Sequence, residues 1–229
     1  MADSKQISKL KSDFIEGSLE SKALLFGEFT LKSGRQSPYF FNAGLLYNGS
    51  ILSTTAQSYA SAIVSSAFST EFDILFGPAY KGIPLAAITC MALEEKHGVR
   101  KEYCYNRKEK KDHGEGGQLV GASMEGKRVV IIDDVLTSGK AVREAIALLP
   151  SSATLTGVVV LVDRQEVGPG ELSSSSLSTV QELSKEYNIP VVPICTLNDL
   201  IDWASSQPGL ETELEGMKAY REQWGAKQV

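Results

Sequence analysis

Asp133 and Asp134 are the residues whose placement most constrains the chemistry of this chain. They follow an apolar run, Val129-Val130-Ile131-Ile132, that reads as a strand buried on both faces and ended by the two carboxylates. After Val135 and Leu136 come Thr137, Ser138 and Gly139, small residues suited to a tight turn. Val142, Ala145, Ile146 and Leu149 then recur at helical spacing, so a helix starts near Lys140-Ala141. A buried strand, a small-residue turn and a helix N-terminus together make an anion site, because unpaired N–H groups and the positive end of the helix dipole point at whatever lies there. Thr137 and Ser138 add hydroxyl donors. Two carboxylates beside such a cradle repel a bare phosphate, but they accept hydrogen bonds from a ligand that also carries hydroxyls. A ribose 5′-phosphate satisfies both demands, with its phosphate on the turn and its 2′- and 3′-hydroxyls on the acids. Mg²⁺ is a second possible partner for the acids. Adjacent strand side chains point to opposite faces, so one carboxylate meets the ligand head-on. The stretch is neither a Walker A loop, G-x-x-x-x-G-K-[ST], nor a dinucleotide fingerprint, G-x-G-x-x-G.

Elements that position these residues can be read on either side. A short strand over 72–76 leads into Gly77-Pro78-Ala79-Tyr80-Lys81-Gly82, and the helix after it, over 83–93, is apolar nearly all round and is expected to be buried. Strand, loop, helix, strand is the pattern of a parallel sheet, whose ligands bind at the carboxyl ends of the strands. The Tyr80-Lys81 loop and the Thr137-Ser138 turn therefore belong on one edge. A strand over 103–106 runs into residues 107–117, which carry Arg107, Lys108, Lys110, Lys111 and His113, then Gly114, Gly116 and Gly117. With no apolar anchor, this segment reads as a mobile lid loop; taken alone, such a run is a solvated stretch. Near the amino end, the turn chemistry of Lys32-Ser33-Gly34-Arg35 precedes Tyr39-Phe40-Phe41. Three aromatics in a row are either core or a flat face for a heterocycle.

Outside these stretches, the pattern predicts a helix from Ile7, Leu10 and Phe14 ending near Gly17, a strand over 23–31 and a helix over 50–68. A buried strand over 155–164 ends in Asp163-Arg164. A surface loop over 168–179 with serine at 173–176 follows, then a helix over 182–187. The strand over 191–195 contains Pro193, which places it at a sheet edge. Helices over 197–204 and 214–224 close a single domain spanning 1–229. A net charge of −5 argues against a nucleic-acid surface, so any anion site is local. The three cysteines, Cys90, Cys104 and Cys195, show no metal spacing. The amino end lacks a signal-like apolar stretch and no run approaches membrane-spanning length, which reads as a cytoplasmic protein with no membrane partner.

The central stretch resembles the phosphoribosyl-pyrophosphate motif of the type I phosphoribosyltransferases. With Leu31 to Arg35, Ser37 to Asn42, Gly77 to Pro84, Asn106 to Gly116, Asp163 to Glu166 and Thr196 to Ile201 in order, nearly the whole chain resembles the orotate branch of that family. The resemblance implies an α/β type I phosphoribosyltransferase fold: a central, mostly parallel sheet flanked by helices, with a small N-terminal hood over about 1–45. It implies transfer of the 5-phosphoribosyl group from phosphoribosyl pyrophosphate to orotate, giving orotidine 5′-monophosphate and pyrophosphate in pyrimidine biosynthesis. Mg²⁺ would be the cofactor, bound mainly through pyrophosphate and ribose oxygens, with no certain protein ligand. Lys32, Tyr80, Lys81, Arg107, Lys108, Lys111, His113, Asp133 and Asp134, with Val135 to Ala141, would bind phosphoribosyl pyrophosphate. Lys111, His113, Asp133 and Asp134 would be the catalytic set. Lys32, Phe40, Phe41, Thr137 and Arg164 would meet orotate. Lys140 stands where many orotate enzymes have a small residue. The resemblance further implies a cis peptide at Ala79–Tyr80 and a homodimer whose lid reaches the neighbouring site. Two other readings share the central motif: transfer to another base, and a non-catalytic regulator that senses phosphoribosyl pyrophosphate.

Overall fold

The computed structural model describes residues 4–69, 71–111, 117–136, 138–168 and 176–227; the side chains of 4–8, 110, 111 and 117 lie outside that description. A six-stranded sheet has the order β5-β4-β3-β6-β7-β8. Its strands are β3 (Ile74–Gly77), β4 (Glu102–Lys111), β5 (Gly117–Gly121), β6 (Arg128–Val135), β7 (Thr154–Asp163) and β8 (Val191–Thr196). All neighbours pair in parallel except β4 and β5, which are antiparallel. The sheet is thus mostly parallel, and Pro193 does lie on its edge strand. Period-two alternation divides β6 between two cores. Val130 and Ile132 pack with α1 (Ser4–Glu20), α2 (Gly49–Val64), α3 (Gly82–His97), α6 (Leu197–Ser205) and α7 (Glu211–Trp224). Val129 and Ile131 face the other way, toward α4 (Lys140–Ile146) and α5 (Thr179–Tyr187). A separate antiparallel hairpin, β1 (Leu24–Thr30) with β2 (Gln36–Phe41), forms the hood.

Four expectations change. The first helix passes Gly17 and ends at Glu20. A Cβ at Gly17 would lie 2.8 Å from Ile51 Cδ1, so that glycine serves close helix packing rather than a stop. β6 does not end at the carboxylates, because its ladder with β7 continues through Val135↔Val162. Residues 107–111 of the expected lid are the end of strand β4, which runs to Lys111 and pairs there with Gly117, with an irregular register between Asn106 and Lys111. Finally, α3 is buried on one face only. Leu85, Ala86, Ala92 and Leu93 are inside, while Met91 is 61% exposed.

Candidate active site

The parallel strands deliver the chemistry to one edge. β3 ends in the loop Pro78 to Lys81, and β6 ends in Leu136 to Gly139. Between them lies a cleft of about 650 Å³. Its walls bring together Lys32 from the hood turn, Tyr80 and Lys81 from the first loop, and Lys108 from β4. Its floor is made by Asp133, Asp134, Val135, Leu136, Ser138, Gly139, Lys140 and Ala141. Glycine is required twice here. Gly139 holds φ +70°, which turns the chain into α4. A Cβ at Gly82 would lie 2.9 Å from the Ile132 carbonyl oxygen, so only glycine lets α3 start against the central strand.

The two carboxylates sit in different surroundings. Asp134 accepts an ion-paired hydrogen bond from Lys81 Nζ at 2.5 Å. Asp133 is buried, and its Oδ1 accepts the Asp134 N–H at 2.9 Å. Burial raises the Asp133 carboxyl to about 6, and the Asp134 charge adds to this; the Asp134 N–H and Lys81 pull the other way. The Ala79–Tyr80 peptide is cis, and Lys108 Nζ stands 4.9 Å from the centre of the Tyr80 ring. Lys140 reaches Glu144 at 3.7 Å and stays mostly exposed.

Three supporting residues escaped the sequence reading. Asn106 Oδ1 accepts the Ala79 N–H at 2.8 Å and fixes the first loop. Its position just before the basic run was an available signal. The buried Tyr59 hydroxyl donates to the Asp133 carbonyl oxygen at 2.8 Å, from a helix with no local mark of it. Arg143 Nη1 donates to the Ser138 carbonyl oxygen at 2.8 Å, and its Nη2 pairs with Glu186 at 2.6 Å, so α5 braces the second loop.

Other expected site residues stand apart from the cleft walls. Arg107 is half-buried on β4. Phe40 and Phe41 take opposite faces of the hairpin, as neighbours on a strand must. Phe41 packs inward, its ring centre 6.0 Å from that of Phe14. Phe40 is exposed and pairs with Phe29 at 5.5 Å. A single flat face made by both rings is therefore not what the hairpin offers; Phe40 is the ring open to a ligand. Arg164 is buried just beyond β7. Burial opposes its charge, and Tyr39, Glu166 and Tyr220 together more than offset that, so it stays protonated. Thr137, His113 and the side chain of Lys111 lie outside the described residues, as do the lid tip 112–116 and serines 173–175.

A family model described as a phosphoribosyl transferase domain matches residues 46–188. The chain is 51% identical over 213 residues to orotate phosphoribosyltransferase of Escherichia coli (strain K12 / DH10B), covering 93% of this chain and 96% of the relative. The crystal structure of orotate phosphoribosyltransferase from Francisella tularensis matches with a TM-score of 0.79 at 41% identity, over 93% of this chain and 98% of that one. The enzyme of the same description from Aeropyrum pernix matches with a TM-score of 0.60 at 28% identity, over 84% and 98%.

Proposed function

This chain belongs to the orotate phosphoribosyltransferase family, and from that premise we propose that its cleft at the carboxyl edge of β3 and β6 is where the phosphoribosyl group is transferred. It is a pentosyltransferase that moves the 5-phosphoribosyl group of phosphoribosyl pyrophosphate onto orotate, releasing pyrophosphate, in pyrimidine biosynthesis. The observation that carries the assignment of the site is convergence. One cleft joins a small-residue phosphate loop, the adjacent carboxylates Asp133 and Asp134, and four lysines, Lys32, Lys81, Lys108 and Lys140, drawn from the hood, the loop after β3, β4 and the start of α4.

Each part then has a physical task. Ser138, Gly139, Lys140 and Ala141, with Thr137, hold the 5′-phosphate. Asp133 and Asp134 accept the ribose hydroxyls. Displacement at the anomeric carbon passes through an oxocarbenium-like state, so stabilising the leaving group matters more than a protein nucleophile. Lys81 and Lys108 carry pyrophosphate charge from fixed positions, with Arg107, Lys111 and His113 added from the lid. Lys32 and Phe40 stand on the base side, and Arg164 pairs with the orotate carboxylate.

The donor set suits Mg²⁺ carried in by the substrate. Among the described residues no group of three or more His, Cys, Asp or Glu could hold a metal, and Asp133 and Asp134 at the cleft are hard oxygen donors. Mg²⁺ keeps several waters and takes one or two carboxylates plus substrate phosphates, which matches Asp133 and Asp134 beside a pyrophosphate. When bound, it supplies neutralisation of the leaving pyrophosphate charge.

A homodimer with the lid shared across subunits is part of the proposal. The exposed Met91 on α3 and Tyr103 on β4 support it as apolar surface that this chain leaves uncovered. Among the described residues no helix is long and apolar enough to cross a membrane. We assign the protein to the cytoplasm on its three free thiols, with Cys104 and Cys195 buried. The test of the activity is an incubation with Mg²⁺, phosphoribosyl pyrophosphate and orotate, following loss of orotate absorbance, repeated with adenine, hypoxanthine and uracil. Turnover with orotate alone is expected. Turnover with another base and none with orotate would overturn the assignment.

A further inference from the structure

Arg164 is held by a clamp built from three separate parts of the chain. Its Nη2 donates to Ser37 Oγ on β2 at 2.9 Å and to the Tyr220 hydroxyl on α7 at 3.3 Å. Its guanidinium carbon lies 4.4 Å from the centre of the Tyr39 ring. Its Nε stands 3.3 Å from Glu166 Oε1, but at an angle that makes no hydrogen bond. The hydrogen-bonded route from Arg164 to Glu166 therefore runs through Tyr220, whose hydroxyl accepts from Nη2 and donates to Glu166 Oε2. The hydrogen bonds of Arg164 to described residues all leave from Nη2, so Nη1 is the end not held by them.

A guanidinium is a rigid planar fork, so fixing Nη2 and the side of Nε fixes where Nη1 points. Burying a charge in this way costs stability unless it is paired. Here Nη2 is hydrogen-bonded twice and Nε is only ion-paired with Glu166, while no protein hydrogen bond holds Nη1 among the described residues. We propose that Tyr220 and Glu166 are positioning residues that act through Arg164: they hold its Nη1 end toward the carboxylate of an anionic base, so the carboxyl-terminal helix α7 sets base specificity. This rests on the reading of Arg164 as the partner of the orotate carboxylate.

The test is a double-mutant cycle. Steady-state KM values for orotate and for phosphoribosyl pyrophosphate are measured for Arg164→Ala, Tyr220→Phe and the pair, with thermal melts as a folding check. Arg164→Ala should raise the orotate KM by roughly tenfold or more. Tyr220→Phe keeps the ring and removes the bridge. It should raise the orotate KM by roughly threefold to tenfold, leaving kcat and the KM for phosphoribosyl pyrophosphate within about twofold. In the Arg164→Ala background, Tyr220→Phe should then change the orotate KM no further, because its effect passes through the missing arginine. An unchanged orotate KM in Tyr220→Phe, or the same rise with and without Arg164, overturns the positioning role. An unchanged orotate KM in Arg164→Ala instead overturns the assignment of Arg164 itself. Should Tyr220→Phe fail to fold, Ser37→Ala removes the other Nη2 acceptor, and the same cycle must show the same selective, non-additive rise.

Discussion

Replacing Asp133 with asparagine should make this protein more stable and inactive at once. Asp133 is 7% exposed, and burial first, with Asp134 second, raises its carboxyl from the ordinary 3.8 to about 6. A raised carboxyl favours the folded state while protonated. That contribution is complete below pH 3.8 and is lost as pH rises through about 6. At pH 7.5 the ionised group therefore stands against folding, by at most ~3 kcal/mol for a shift of this size. Asparagine is neutral throughout, and its Oδ1 can keep the hydrogen bond from the Asp134 N–H. The Asp133→Asn variant should gain about 1–3 kcal/mol at pH 7.5. In a domain of this size that is a rise of about 3–10 °C in Tm. If Asp133 is the proposed anionic acceptor for the ribose hydroxyls, the same variant should lose at least about a hundredfold in kcat/KM. The assay is urea unfolding of both proteins from pH 3.5 to 8, with initial rates at pH 7.5. Taking the difference between the two proteins removes the other titrating groups they share. The advantage must shrink toward zero as pH falls to about 4. An asparagine variant no more stable at pH 7.5, or one whose advantage does not depend on pH, would refute the argument that burial of this carboxylate works against the fold.

Asn106→Ala removes the acceptor that fixes the Ala79 N–H, so the KM for phosphoribosyl pyrophosphate should rise by roughly threefold to tenfold, with the orotate KM less affected in the same rate measurements. The shared lid is tested by mixing two inactive variants, Lys111→Ala and Asp133→Asn with Asp134→Asn, under conditions that exchange subunits. A lid acting in trans restores up to about half the activity per mixed dimer, since one of its two sites has every part intact. Verified mixed dimers that stay inactive would place the lid in cis.

The sheet was legible because its signals are local. Buried parallel strands are short apolar runs, and each here ends in loop or charge at the edge where ligands bind. The two acids, the phosphate turn and the Tyr80-Lys81 loop could be put on one edge from the sequence alone, and the cleft does join them. The family resemblance likewise agrees with the relatives. What was misread depends on partners that side-chain pattern does not encode. The first half of the expected lid is strand, paired at Lys111 with Gly117, and backbone pairing leaves no mark in a run of lysines. The start of α5 at Thr179 was available as a capping box between Ser178 and Gln181, but the preceding serines hid it. Phe40 and Phe41 carried their own correction: the alternation that sends Asp133 and Asp134 to opposite faces applies to them as well.

The clamp on Arg164 shows where such reading stops, and why. Ser37 and Tyr220 lie 127 and 56 residues from the arginine they hold, and no spacing rule links them. A phosphate loop can be recognised locally because backbone N–H groups do the binding, and backbone geometry follows from a few small residues in a row. Recognition of a base has to distinguish one planar ring from another, so it needs side chains aimed from several directions. Here those directions are the hood hairpin, the end of β7 and the last helix. The phosphoribosyl half of the site is thus written in contiguous motifs common to enzymes for many bases. On the proposed role of Arg164 the base half is assembled across the fold, and a substitution on α7, far in sequence from any motif, is then expected to change what the enzyme accepts without touching how it holds the phosphoribosyl group.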